Sequence, residues 1–193
     1  MYCFLYKMNP DKAQAVAKAY RLGATKNRSV IYWQIDEKGQ CRTGKIMQYD
    51  AGTGKRNKTG WGINWVHSKL TKSGKITDFK LSQCLFGLHL VHLPNSTPVM
   101  LVESEKTALI MAMFFPQYTW LATGGKSNFS ERLLRVIKPM QIIAIPDADG
   151  FSKWSEKSKY LNRGGYRITV LDLFKGEDSS RDIADVLLEC FNR

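Results

Sequence analysis

Two short apolar runs in the second half of the chain each end on carboxylates and turn at once into a helical pattern. This pairing constrains the fold more than any other feature. Pro98 to Met113 reads PVMLVESEKTALIMAM, and Gln141 to Gly150 reads QIIAIPDADG. Val99 to Val102 is too short for a helix, whereas Thr107 to Phe114, beyond the charged Glu103, Glu105 and Lys106, has helical length. After the second run, Gly150 loosens the turn and a helix is predicted over 151–162. Further strands are predicted near 119–123 and 166–173, and strands alternating with helices predict a mainly parallel sheet. Ligands of such sheets bind at the carboxyl ends of the strands, where Glu103, Asp147 and Asp149 are expected to meet. Asp147 and Asp149, two apart, can converge on one hard cation, and Mg²⁺ takes oxygen ligands while keeping several waters. Acidic residues also suit the first turn of a helix through its macrodipole, so Glu103 by itself would decide little.

The first half reads differently. Asn9 caps and Pro10 opens a helix whose apolar face is Ala13, Val16, Ala17 and Tyr20 and which stops before Gly23. Ser29 to Asp36, SVIYWQID, alternates as a strand, EKGQ turns, and Cys41 to Asp50 returns as its hairpin partner. AGTGKRNKTGWG is a glycine-rich basic loop, and Ile63 to His67 resumes strand character. The expected fold is therefore α/β: a basic α+β subdomain over 1–96, then a domain over 97–193 with a mainly parallel sheet flanked by helices.

Charge follows the same division. Residues 1–97 hold 16 Lys and Arg against 5 Asp and Glu, net +11, whereas residues 98–193 hold 13 against 12, net +1. A basic block of this size attracts polyanions over long range, and beside an acidic metal-site candidate it points to nucleic acid. Lys55, Arg56 and Lys58 on the glycine-rich loop can follow a phosphate backbone, and Lys106 and Lys126 lie beside the acidic motifs. Trp65 reads equally as a base-stacking ring or as core. Trp33, alternating with Ile31 and Ile35, reads as core.

Several classes are excluded. The four cysteines, Cys3, Cys41, Cys84 and Cys190, are scattered, so neither a zinc knuckle nor a disulfide framework is expected. His89 and His92, three apart in a leucine-rich run, read as structural. GTGK at 52–55 and GGKS at 124–127 resemble fragments of a phosphate-binding loop, but the glycine required five residues before the Gly-Lys pair is Tyr49 in one and Trp120 in the other. An EF-hand starting at Asp147 would need glycine at Ser152 and glutamate at Ser158. No segment approaches membrane-span length and the start lacks a signal-peptide pattern, so a cytoplasmic protein without a membrane partner is expected.

The order VESEKTA then IPDADG resembles the TOPRIM domain of topoisomerases, bacterial primases and some nucleases, over roughly 98–191. GEDSSRDIADVLL resembles the third acidic element of that domain, with Asp182 and Asp185 as its equivalents. The first half extends the likeness to the polymerase core of bacterial-type DNA primases, since the hairpin RSVIYWQIDEKGQCRTGKI precedes CLFGLHL and then the glutamate strand. The words WQID, TGKIM, INWVHS, QCLFG and VESEKTA are also similar to a group of TOPRIM proteins from prophages and mobile elements. The resemblance implies a Mg²⁺- or Mn²⁺-dependent primase-like nucleotidyltransferase acting on single-stranded DNA and nucleoside triphosphates in replication of such an element. Glu103, Asp147 and Asp149 would be catalytic and metal-binding, with Asp182 and Asp185 as further ligands and Glu103 either a ligand or a general acid/base. Arg42 and Lys45 would bind nucleotide or template; three apart, they need a bulge, for which Gly44 is the candidate. No zinc ribbon can be built from these cysteines, which leaves a catalytic core cut from a longer protein, a minimal primase helped by a zinc-ribbon or helicase partner, or a relative doing other work. A metal-dependent nuclease and a non-catalytic DNA-binding accessory remain the alternatives.

Overall fold

The computed structural model describes residues 1–57, 62–91, 97–175, 177 and 179–191. They form two compact units, Met1–Leu90 and Val91–Arg193.

The first unit begins with a helix that periodicity did not reveal, α1 (Tyr2–Met8), joined through Asn9 to α2 (Pro10–Ala19). Asn9 caps α2 by accepting from the Lys12 amide at 3.0 Å, and Pro10 stands at the first turn, where its missing N–H costs nothing. The sheet that follows has the order β1 (Gly23–Ala24), β2 (Val30–Ile35), β3 (Cys41–Met47) and β4 (Asn64–Trp65), each antiparallel to its neighbour. The expected strand at Ile63 to His67 is thus only two residues long. From Val66 the chain turns into α3 (Val66–Lys72), with Trp65 as its extended N-cap.

β2 buries Val30, Tyr32 and Gln34, while Ile31 and Trp33 are half-buried on the other face. This corrects the placing of Trp33 in the core. Its ring covers Gly44, where an added methyl would meet Trp33 Cε3 at 2.8 Å and Ile31 Cγ2 at 2.7 Å. The bulge occurs elsewhere: Gln34 opposes Thr43 but Ile35 opposes Cys41, leaving Arg42 as the extra residue. Phe86 locks the inner face, stacked on Tyr20 at 5.2 Å and edge-on to Tyr32 at 5.4 Å, above buried Leu5, Val16 and Leu88.

The second unit is a four-stranded, all-parallel sheet in the order β6-β5-β7-β8, with β5 (Val99–Val102), β6 (Thr119–Ala122), β7 (Gln141–Ile145) and β8 (Arg167–Val170). α4 (Glu105–Phe114) connects β5 to β6, α5 (Glu131–Leu134) lies before β7, α6 (Phe151–Arg163) connects β7 to β8, and α7 (Ile183–Phe191) follows. β5 is buried at every residue, as a strand covered on both faces must be, and α4 is buried from Thr107 to Met113. α6 is amphipathic and buries Trp154, Ser158 and Leu161 at helical spacing. The chain leaves β5 for β6 on one side and returns to β7 on the other, so the strand order reverses between β5 and β7. That reversal opens a crevice at their carboxyl ends.

Gly44→Val should destabilise the first unit by about 1–3 kcal/mol, since the sheet cannot give way to an overpacked side chain. Thermal denaturation followed by circular dichroism checks this.

Candidate metal centre

Glu103 follows β5, and the extended Ser104 after it caps α4: its hydroxyl accepts the Thr107 amide at 3.1 Å. Asp147 and Asp149 follow β7 after Pro146, on either side of Ala148. Their turn is braced by Ala148 N–H donating to the Arg181 carbonyl and Asp149 N–H to that of Ser179, both at 3.0 Å. Two strand ends flanking the switch point thus deliver three carboxylates, and one oxygen from each lies within 4.8 Å of the others. Glu103 is 5% exposed, Asp147 is half-buried and Asp149 exposed. The Glu103 carboxylate has room only because residue 150 is glycine. A methyl there would overlap Glu103 Oε1 and approach Pro146 Cβ at 3.1 Å.

Burial pushes the Glu103 carboxyl up to about 7; the Asp147 amide, donating at 3.3 Å, and the Lys126 charge restrain the rise, while Asp149 and Asp182 add to it. Burial, then the charges of Glu103, Asp182 and Asp149, push Asp147 up to about 8. Lys126 forms an ion pair with the Asp149 carboxylate and donates to the Asp149 carbonyl at 3.2 Å. Partial burial works against its charge, but the Asp149 bond and the acids around it outweigh that and raise its pKa. Lys126 reaches this point through Gly124 and Gly125, whose φ values of 79° and 152° are open to glycine.

Asp182 and Asp185 meet each other. The Asp182 amide donates to Asp185 Oδ2 at 3.1 Å and the Asp185 amide to Asp182 Oδ1 at 3.0 Å, a reciprocal cap on α7. Asp182 Oδ2 also accepts from the Thr107 hydroxyl at 2.6 Å, and Lys106 lies 3.8 Å from Asp185. Among the described residues, the carboxylates that gather are Glu103, Asp147 and Asp149. Asp182 stands near enough to add its charge to theirs.

In the first unit, Arg42 binds Asp36 through its guanidinium at 2.6 Å. Burial would raise the Asp36 carboxyl, but the Gln40 and Lys38 amides and Arg42 together hold it below the usual range. Lys45 is buried on β3 opposite Tyr32 and Trp65. Lys55 and Arg56 are exposed on the loop that Asp50 organises by accepting the Gly52 and Thr53 amides, and Trp65 is half-buried. His89 bonds the Ala19 carbonyl at 3.0 Å. Lys58 and His92 lie outside the described residues.

Sequence reasoning missed Thr107, Gly150 and Trp154, whose indole donates to the Lys126 carbonyl at 3.1 Å and stacks on Phe129 at 4.4 Å. A serine three residues before Thr107 at the helix start could have signalled the cap, but nothing local signalled the bond to Asp182 or the contact between Gly150 and Glu103.

The family model described as a domain of unknown function (DUF6371) matches residues 1–148. The chain belongs to this family. No curated protein matches it. Among solved structures, it is similar to the primase fragment of the bacteriophage T7 primase-helicase, with 14% identity and a TM-score of 0.60 over 93% of this chain and 67% of that one. The Aquifex aeolicus primase, with its zinc-binding and RNA polymerase domains, matches at 16% identity and TM-score 0.54 over 97% of this chain and 45% of that one. A DnaG catalytic core matches at 19% and 0.53 over 97% and 60%. The chain therefore spans between 45% and 67% of these three chains. At these identities the likeness establishes the fold, which is that of primase catalytic cores. No helix among the described residues is long and apolar enough to cross a membrane.

Carboxyls raised in the folded state bind protons that the unfolded chain has released, so stability falls as pH rises, from about 4 to about 7 for Glu103 and about 8 for Asp147. Asp147→Asn should flatten this decline and raise the melting temperature at alkaline pH in chelator. Divalent cation should stabilise the parent there and not the variant. Thermal melts across pH, with and without Mg²⁺, give the comparison.

Proposed function

We propose that this protein is a divalent-metal-dependent, primase-like nucleotidyltransferase acting on single-stranded DNA. The observation that carries the reading is the convergence of Glu103, Asp147 and Asp149 at the switch point of a parallel sheet with the primase-core fold. The net +11 of residues 1–97 supports a polyanionic template. Among the structural neighbours, an assembly of bacteriophage T7 lagging-strand polymerase with primase domains is bound to an RNA/DNA hybrid and dTTP, which supports triphosphates as the second substrate.

The donor set suits Mg²⁺ or Mn²⁺: three carboxylates with no nitrogen or sulfur ligand, two of them raised by burial and mutual repulsion that a cation relieves. Asp147 and Asp149 would hold the ion with Glu103 as third donor, and Asp182 and Asp185 as outer partners. Bound there, the ion supplies charge neutralisation at the transferred phosphoryl group and activation of the attacking oxygen. Glu103 has a second task open to it, that of general acid/base toward an attacking hydroxyl. Lys126, beside Asp149, offers its ammonium to a phosphate oxygen. Lys55, Arg56 and Lys58 would hold template backbone, while Arg42 and Lys45 would orient the hairpin toward nucleotide or template. The four cysteines are scattered along the chain, and a zinc-binding function, like a helicase, would come from a partner. Replication of a prophage or mobile element is the setting we assign.

Incubation of the protein with single-stranded DNA, labelled nucleoside triphosphates and Mg²⁺ or Mn²⁺ tests the reading. Labelled oligomers should form, and Glu103→Gln and Asp149→Asn should each reduce them by about 100-fold or more. Shortened DNA without triphosphates would instead identify a nuclease. Binding without either product would identify an accessory protein.

A further inference from the structure

The first unit carries a row of rings that its own fold leaves partly uncovered. Trp65, at the start of α3, lies 5.8 Å from the His67 ring, and His67 stacks on Phe79 with centroids 4.9 Å apart and planes within 13°. The middle ring is anchored, for His67 Nδ1 shares a 2.7 Å hydrogen bond with the hydroxyl of Thr43, a buried residue of β3. One end meets solvent: Phe79 is 39% exposed, and Leu81, two residues on, 51%. No residue of α3 is buried, and from Ser73 to Ser82 every residue is exposed except Ile76. This stretch also concentrates charge. Residues 66–82 hold Lys69, Lys72, Lys75 and Lys80, all exposed, against Asp78 alone.

Each part of that surface narrows the occupant. A phenylalanine held in solvent by a ring stack presents a rigid planar face, and its outer side continues the ladder with the next planar group. The four exposed lysines of the same stretch select a polyanion and disfavour a purely apolar partner. Planar groups with phosphates between them are what an unpaired nucleic-acid strand offers, whereas a duplex hides its base faces in its own stack.

We propose that Trp65, His67 and Phe79, with Lys69, Lys72, Lys75 and Lys80, form a platform for single-stranded nucleic acid, in which a base stacks on Phe79 and the flanking phosphates lie on the lysines. The platform rests on the proposed function for its partner class and adds where in the first unit the strand is held. His67 is a positioning residue here: Thr43 fixes its ring, and the ring fixes Phe79.

The test is binding of labelled oligothymidylate, oligouridylate and a blunt DNA duplex to the whole protein in chelator, by fluorescence anisotropy across a salt series. Phe79→Ala should weaken both single strands by about fivefold or more while leaving the duplex nearly unchanged. Phe79→Trp should retain the parent affinity. Lys72→Ala, Lys75→Ala and Lys80→Ala combined should lower the slope of log affinity against log salt by about 2. Unchanged thermal melts show that Phe79→Ala remains folded. Single-strand affinity of Phe79→Ala within about twofold of the parent, equal losses on duplex, or no single-strand binding by the parent would each overturn the platform. Phe79-dependent binding without primer synthesis would count against the nucleotidyltransferase alone, and primer synthesis with Phe79-independent binding against the platform alone.

Discussion

Like charges brought within 4.8 Å at the end of a parallel sheet repel one another, and much of the second unit can be understood as the framework that keeps them there. Hydrophobic burial supplies the restraint. β5 is buried at every residue and α4 from Thr107 to Met113, so Glu103 and the turn after β7 cannot drift apart without opening the core. The Asp147 amide, the Lys126 ammonium and the bare backbone of Gly150, against which the Glu103 carboxylate lies, then make the arrangement tolerable. A site that is costly while it lacks a counter-charge has affinity built into its strain.

The parts of this arrangement that were legible in the sequence are those written in short windows. The strand-acid-helix pattern of VESEKTA and IPDADG gave both strand ends, and α6 occupies 151–163 as its spacing predicted. The β2–β3 hairpin and the cap at Asn9 were legible for the same reason, since turn residues and capping side chains act within a few positions. The likeness to primase cores also rested on ordered words, and the fold agrees with it.

What escaped depended on contacts between distant segments. Alternation placed Trp33 in the core, but side-chain sidedness depends on which face the helices and Phe86 cover, and that face carries Tyr32. Ile63 to His67 looked extended because aromatic and β-branched residues favour strands, yet within that segment Asn64 and Trp65 alone pair with β3. The link from Thr107 to Asp182 crosses 75 positions, and no periodicity encodes it. The same holds for Gly150, whose need for a bare backbone comes from a glutamate on another strand.

Arg42, the extra residue of the hairpin, shows how one insertion can separate two requirements. Sidedness along a strand has a period of two, so an unpaired residue acts as a phase shift. Toward the turn, the guanidinium keeps its hold on Asp36; away from it, Thr43, Lys45 and Met47 keep facing the same way as Gln34, Tyr32 and Val30, which they oppose. Turn and sheet can therefore vary in sequence independently of one another, provided the lag between them is conserved. A deletion of that one residue would bring the two out of step and force either the acid clamp or the packed face to invert.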